Sequence, residues 1–148
     1  MYYFAYGSNM NPERMKERDV SFTMMKKAVL KGYGLQFNKL ASGNPSEGYA
    51  NIEPWDKGIV EGILYDISEA DIKKLDKHEG YPAHYSRINL KVKLKDSDEL
   101  EAVVYIAQAD RVKEGLKPRR AYLQHLLAGE KLLSPEYIKQ LRLQETLD

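Results

Sequence analysis

The sequence contains no cysteine, and this absence removes several classes of chemistry at once. Disulfides, thiolate nucleophiles and thiolate metal ligands are all excluded. The three histidines, His78, His84 and His125, do not have the spacing of a metal-ligand set. We expect each of them to lie at the surface or in a hydrogen bond, and we expect no metal site.

An excess of charge of one sign is also missing. The chain has 23 basic and 22 acidic residues, so no long-range field attracts nucleic acid or an anionic membrane. No apolar run approaches the length of a membrane span, and the first residues lack the pattern of a signal peptide. We therefore expect a cytoplasmic protein whose partner is a neutral or zwitterionic small molecule.

The 148 residues match the size of one ordinary domain, and they contain neither an internal repeat nor a linker. We expect residues 1–148 to form a single domain. Eleven tyrosines are many for this length. They could wall a polar pocket or belong to an ordinary core.

Alternating and apolar segments predict short strands separated by turns, together with a few short helices. The expected strands are 2–7, 27–31, 33–38, 49–53, 58–67, 87–95 and 99–108, and the expected helices are 12–18, 69–79, 119–128 and a last one from 134. Turns are expected at 55–58 and 96–98. The pattern predicts an α+β fold with a mixed, mostly antiparallel, curved or barrel-like sheet and short helices packed against it.

The first candidate site is the turn Tyr6-Gly7-Ser8-Asn9, where an apolar strand ends and a helix begins almost at once. Glycine lets successive backbone N–H groups converge, and such a concavity binds carboxylate or phosphate. The N-terminus of the following helix favours an anion as well. Strand-to-helix turns also contain Gly, Ser and Asn for conformational reasons alone, so both interpretations stay open here.

The second candidate is Glu79, because of its position in a helix. Ile72, Leu75 and Glu79 fall at i, i+3 and i+7, so the carboxylate continues the apolar stripe and should point inward. The helix dipole and partial burial would both raise its pKa toward neutrality, as suits a residue that takes and returns a proton. The alternatives are a carboxylate bonded to Arg87 or a tyrosine, or a frayed helix end in water.

Other chemistries find less support in the sequence. Glu53, Glu61 and Asp66 lie on or beside expected strands, but no spacing pairs them with Glu79, and we expect most of them to face solvent. No nucleophile elbow or Walker A loop is present. A two-glycine stretch at 32–34 lacks the rest of a dinucleotide fingerprint.

Four short segments are each a modest signal, but their combination in this order is specific. They are YFAYGSNM at 3–10, LDKHEG at 75–80, YSR at 85–87 and PRRAY at 118–122. Together they resemble the γ-glutamylcyclotransferase family over nearly the whole chain, with no large insertion. Asn9 after Gly7 and Ser8 resembles the members that act on γ-glutamyl amino acids more than the glutathione-specific or γ-glutamylamine branches.

The resemblance implies an acyl transfer by intramolecular aminolysis, a transferase or lyase reaction that closes a γ-glutamyl group to 5-oxoproline and releases an amine or amino acid. It implies Glu79 as the general acid and base, and it implies no metal or organic cofactor. The implied substrate-binding residues are Tyr3, Phe4, Ala5, Tyr6, Gly7, Ser8 and Tyr122, with Asn9, Tyr85 and Arg87 as supporting residues.

Several questions stay open at this level. Arg87 could fix the carboxylate of Glu79, grip the departing amino acid, or be solvated. The leaving-group pocket is expected at loops 41–48 and 111–120, so the identity of the leaving amine is undetermined. The rival functions are a cyclotransferase that removes a γ-glutamyl protecting group in a biosynthetic pathway, and a non-catalytic small-molecule-binding domain. A homodimer is one alternative for the oligomeric state.

Overall fold

The computed structural model describes residues 1–95 and 98–148, so most of the turn expected at 96–98 lies outside the described residues. The strands are β1 (Tyr2–Ala5), β2 (Met25–Leu40), β3 (Gly48–Asp66), β4 (Tyr85–Lys93) and β5 (Glu99–Ala107). The α-helices are α1 (Pro12–Glu17), α2 (Glu69–Glu79), α3 (Arg120–Leu127) and α4 (Pro135–Arg142). Short 3₁₀ turns occupy Ser8–Met10 and Ala109–Arg111.

The strands close into a barrel in the order β1, β3, β2, β4, β5. Neighbours along this order pair antiparallel, and the contact of β1 with β5 that closes the barrel is parallel. The predicted mixed, mostly antiparallel, barrel-like sheet is confirmed. β1 lies between β3 and β5, and the burial of Tyr3, Phe4 and Ala5 agrees with its apolar sequence.

One prediction about the strands is wrong. The sequence predicted four short strands in the region where the structure has the two long strands β2 and β3. Residues 55–58, expected as a turn, lie within β3 and stand opposite Gly32, where the register of the two strands shifts. Gly32 has a φ of 84°, which glycine adopts without steric cost. A bulge of this kind bends a strand without ending it, so turn-forming residues occur inside one.

The helix boundaries follow from capping residues that the sequence shows. Asn11 accepts a hydrogen bond from the Glu13 N–H at the start of α1, and Ser68 accepts one from the Asp71 N–H at the start of α2. α2 ends at Gly80, which has a φ of 65°. Because a left-handed residue stops the helix there, Glu79 is the last residue of α2.

Candidate active site

A cavity of about 360 Å³ opens between the turn that follows β1 and the end of α2. Most of the residues expected at the site line it: Tyr3, Phe4, Tyr6, Gly7, Ser8, Asn9, Glu79, Tyr85 and Tyr122. Two expected residues do not. Ala5 is fully buried within β1 behind the turn, and Arg87 lies on β4 outside the cavity.

The turn after β1 brings backbone N–H groups and a cation close together. The N–H groups of Gly7 and Ser8 form no hydrogen bond within the described part of the chain. The Ser8 hydroxyl accepts a hydrogen bond from Nε of Arg14 at 3.1 Å, which places a guanidinium group beside the turn. Free backbone donors next to a fixed cation form a site for a carboxylate.

Gly7 is needed here because other groups approach closely. A Cβ atom at this position would lie 3.2 Å from the Ala50 Cβ and 3.2 Å from the Tyr122 hydroxyl. The same hydroxyl accepts a hydrogen bond from the Ala50 N–H at 3.0 Å. The turn, β3 and α3 therefore meet at Gly7, and a larger side chain would displace the cavity wall.

Glu79 points inward, as its spacing in the helix predicts, and its side chain keeps only 17% exposure. Its Oε1 atom accepts a hydrogen bond from Nδ2 of Asn9 at 3.3 Å and lies 3.5 Å from Nη1 of Arg18. Asn9 also donates to the Tyr3 hydroxyl at 2.9 Å and accepts from Arg18 at 3.0 Å. Through Asn9, the turn and the acid form one hydrogen-bonded unit.

Burial raises the pKa of Glu79 above its ordinary value, because the charged form loses its hydration. Arg18, Arg14, Lys39 and the hydrogen bond from Asn9 act in the opposite direction and limit the shift. The net upward shift of the Glu79 pKa agrees with the expectation from the sequence. A carboxylate with a raised pKa is better suited to exchange protons near neutral pH.

The raised pKa predicts how stability depends on pH. The folded state binds the Glu79 proton more tightly than the unfolded state, so this stabilisation is complete below the ordinary pKa and is lost as pH rises through the folded pKa. Because glutamine mimics the protonated form, Glu79→Gln should melt a few degrees above the wild type at about pH 8, with the gap closing toward about pH 4. Differential scanning calorimetry measures both temperatures, and a lower melting temperature for the variant at the higher pH would contradict a raised pKa.

Tyrosines form much of the cavity wall, and their hydroxyls hold the backbone of neighbouring strands. Tyr85 donates to the Ala50 carbonyl at 2.8 Å, and Tyr6 donates to the Tyr105 carbonyl. Burial raises the pKa of Tyr6, Tyr85 and Tyr122. These hydroxyls stay protonated at neutral pH, so they can position a ligand but do not act as bases.

Arg87 has a partner that the sequence did not suggest. Its Nη1 lies 3.0 Å from Oδ2 of Asp76, and its guanidinium group stacks 4.8 Å above the ring of Tyr81. Asp76 also accepts from the Tyr105 hydroxyl at 2.7 Å. The alternative in which Arg87 fixes the Glu79 carboxylate is therefore wrong. Arg87 fixes α2 against β4 and β5 one turn before Glu79.

Four cationic side chains in the cavity, Arg14, Arg18, Lys39 and Lys77, were not expected at the site. Arg14 and Arg18 lie four residues apart around α1 and both face the cavity. Lys39 has an exposed fraction of only 4% and follows the inward alternation of Phe37 and Ala41, which are also buried. That alternation was a usable signal, but the strand was expected to end at Asn38.

The other polar candidates have structural contacts. Glu53, Glu61 and Asp66 do not line the cavity, and Glu61 is not in solvent, because it accepts from the Ser134 N–H and hydroxyl at the start of α4. Within the ranges 1–95 and 98–148, no group of three or more metal-binding side chains comes together. None of the described helices is both long and apolar enough to cross a membrane.

Comparisons with known proteins converge on one family. The family described as "Gamma-glutamyl cyclotransferase, AIG2-like" matches residues 3–124, a range that includes every residue named above as lining the cavity. Gamma-glutamylcyclotransferase from Mus musculus is 31% identical over 109 residues, covering 70% of this chain and 57% of that protein. The chain thus spans about half the length of the curated relatives it matches.

Solved structures share the fold. A Homo sapiens structure described as an uncharacterized protein has a TM-score of 0.86 at 26% identity, covering 99% of this chain and 89% of its own. YkqA from Bacillus subtilis has a TM-score of 0.84 at 27% identity, covering 96% of this chain and 52% of its own.

Proposed function

This chain belongs to the Gamma-glutamyl cyclotransferase, AIG2-like family, and on that premise we propose that its cavity converts a γ-glutamyl amino acid or amide to 5-oxoproline and a free amine. The observation that carries the proposal is the link through Asn9. This side chain donates to Glu79 Oε1 and follows directly on the anion-binding turn, so a proton acceptor lies beside a carboxylate site. An α-amino acid head group carries a carboxylate and an ammonium group on one carbon. Its carboxylate would meet the turn while its ammonium group meets Glu79.

The turn would bind the α-carboxylate of the substrate. The N–H groups of Gly7 and Ser8 would donate to it, and the guanidinium group of Arg14, held by the Ser8 hydroxyl, would offset its charge. The neutral hydroxyl of Tyr122 and the ring of Tyr3 would limit the movement of the γ-glutamyl chain. With the head group fixed, the chain can fold back on itself so that its γ-carbonyl approaches the α-nitrogen.

Glu79 would then act as the proton carrier. It takes a proton from the α-ammonium group, and the freed nitrogen attacks the γ-carbonyl carbon to form the lactam bond. The bond from that carbon to the leaving nitrogen breaks as Glu79 gives its proton to that nitrogen. The second proton that the attacking nitrogen loses follows through Glu79, so the amine departs as an ammonium ion. No water is consumed, and no oxidant or reductant is needed.

Positioning supplies a large share of the rate enhancement in a reaction of this type. Good alignment of two groups within one bound molecule lowers a barrier by roughly 7–11 kcal/mol. A proton shuttle contributes about 10²–10⁴-fold in addition. The contacts of Asn9 and Arg18 hold the Glu79 carboxylate in one orientation. A fixed orientation suits both the alignment of the substrate and the transfer of its proton.

The proposed reaction predicts a defined pair of products. Incubation with γ-glutamyl-alanine should yield 5-oxoproline and alanine in equal amounts, and chromatography with mass detection measures both. A panel of γ-glutamyl amides with other leaving groups would show which one is favoured. A folded protein that forms no 5-oxoproline from any member of the panel would refute the proposed reaction, and binding without turnover would identify a non-catalytic domain.

A further inference from the structure

Lys39 is a buried cation in the cavity whose charge acts on Glu79 only from a distance, without a hydrogen bond or ion pair to it. It lies one residue before the end of β2, directly opposite Tyr49 of β3, and its exposed fraction is 4%. Lysine is seldom buried to this degree unless it has a charged partner. Its surroundings therefore indicate what it binds.

The partners of Lys39 among the described residues are all uncharged. Its Nζ donates to the Leu40 carbonyl and to Nδ1 of His84, each at 2.9 Å. It also lies 5.8 Å from the ring centroid of Tyr49 and 5.6 Å from that of Tyr85. Burial, followed by the charge of Lys39, lowers the pKa of His84, so the imidazole stays neutral and its Nδ1 can accept.

A counter-charge is missing from this arrangement. In the parts of the chain that the structure covers, no carboxylate oxygen lies within 4.0 Å of the Lys39 Nζ. Burial lowers its pKa, Arg111 contributes to the same shift, and the more distant carboxylate of Glu79 offsets only part of it. A buried ammonium group without an anion costs free energy, which the carboxylate of a ligand would offset.

The other buried cations of the cavity already have roles. Arg18 bonds to Asn9 and lies beside the Glu79 carboxylate, and Arg14 bonds to Ser8 at the turn. Lys39 belongs to a different wall, where Tyr49 packs 5.1 Å from the ring of Tyr122. The cavity thus has Arg14 and Arg18 at the turn and Lys39 at the β2–β3 wall.

A γ-glutamyl amino acid has the matching distribution of charge. Its α-carboxylate belongs at the turn, and its leaving amino acid carries a second carboxylate several bonds away. A γ-glutamylamine lacks this second carboxylate. Among the lining residues that the structure describes, Arg14, Arg18, Lys39 and Lys77 are cationic, and Glu79 supplies the one carboxylate, so the cavity favours the ligand with the additional anion.

We propose that Lys39 binds the carboxylate of the leaving amino acid and thereby makes the site select γ-glutamyl amino acids over γ-glutamylamines. This inference rests on the proposed function for its choice of ligand. His84 is a positioning residue, because its neutral Nδ1 orients the ammonium group of Lys39. Tyr49 and Tyr85 contribute cation–π contacts that help to hold a charge in a buried place.

The test uses two ligands that differ by one carboxylate, γ-glutamyl-alanine and γ-glutamyl-ethylamine. Lys39→Met should lower kcat/KM for γ-glutamyl-alanine by about 10- to 100-fold, chiefly through KM, since a charge-assisted hydrogen bond to the ligand is lost. Turnover of γ-glutamyl-ethylamine should change by less than about threefold, because only the distant effect of the Lys39 charge on the pKa of Glu79 is lost, and that effect is common to both substrates. Lys39→Arg keeps the charge and should retain most of the preference for γ-glutamyl-alanine.

The matched control is Lys31→Met, which removes the same charge from an exposed position of the same strand. It should leave the ratio of the two kcat/KM values unchanged. Thermal melting verifies that each variant is folded, and Lys39→Gln replaces Lys39→Met if the apolar side chain prevents folding. An equal loss for both substrates, or an unchanged ratio, would overturn the selectivity role of Lys39.

Calorimetric binding of the same two ligands separates this proposal from the proposed function. If neither ligand is turned over but γ-glutamyl-alanine binds more tightly, and Lys39→Met removes that difference, the role of Lys39 stands and the catalytic proposal fails. If turnover occurs and Lys39→Met does not change the ratio, the catalytic proposal stands and the role of Lys39 fails. If neither ligand binds, both fail.

Discussion

Replacing Glu79 by glutamine is expected to lower kcat by about 10²–10⁴-fold, because the substitution keeps the shape of the side chain and removes its basicity. Glutamine can still accept the hydrogen bond that Asn9 donates to Oε1. The cavity should therefore keep its form, and binding of γ-glutamyl-alanine should change by less than about tenfold. Steady-state kinetics and calorimetry measure the two quantities.

The control for this variant is Glu69→Gln in the first turn of the same helix. Glu69 is exposed and lies at the opposite end of α2 from Glu79. The loss of its charge should lower stability slightly and should leave turnover unchanged. Comparable rates for Glu79→Gln and the wild type would remove Glu79 from the mechanism. A loss of binding as large as the loss of turnover would instead assign Glu79 to holding the substrate.

Replacing Gly7 by valine should have the second largest effect. The first added carbon would already lie 3.2 Å from both the Ala50 Cβ and the Tyr122 hydroxyl, so the two further methyl groups must displace the wall or enter the cavity. We expect kcat/KM to fall by about 10²-fold through misplacement of the substrate. The stability cost of such overpacking is about 1–3 kcal/mol.

A smaller substitution at the same position provides the comparison for Gly7→Val. Gly7→Ala adds a single methyl group that needs a shift of only tenths of an ångström, and it should lose about tenfold in kcat/KM. Thermal melting distinguishes a damaged site from a damaged fold. If Gly7→Val binds and converts γ-glutamyl-alanine as the wild type does, the turn does not hold the substrate.

The sequence predicted those parts of the site that depend on local rules. Caps at Asn11 and Ser68 and the stop at Gly80 fix the ends of α1 and α2. The inward direction of Glu79 follows from the buried Ile72 and Leu75, which lie within two turns of it. The apolar first strand and the turn after it were also predicted from neighbouring residues in the sequence. The family resemblance then joined two sites that periodicity alone could not place together.

The parts that the sequence did not predict depend on contacts across the barrel. Residues 55–58 look like a turn, and only the pairing of their neighbours Pro54 and Ile59 with β2 shows that they form a bulge. Contact with Glu79 was one of three alternatives for Arg87, and the position of Asp76 on α2 decides its actual partner. Lys39 was missed because the strand was expected to end one residue earlier.

The central claim is that the cavity closes a γ-glutamyl group on its own α-nitrogen. The most direct measurement is the conversion of γ-glutamyl-alanine in ¹⁸O-labelled water, followed by mass spectrometry of the products. The account predicts 5-oxoproline without ¹⁸O, one molecule for each alanine released, because water takes no part. Glutamate that carries one ¹⁸O atom would show that water attacks the γ-carbonyl, and it would contradict cyclisation at this site.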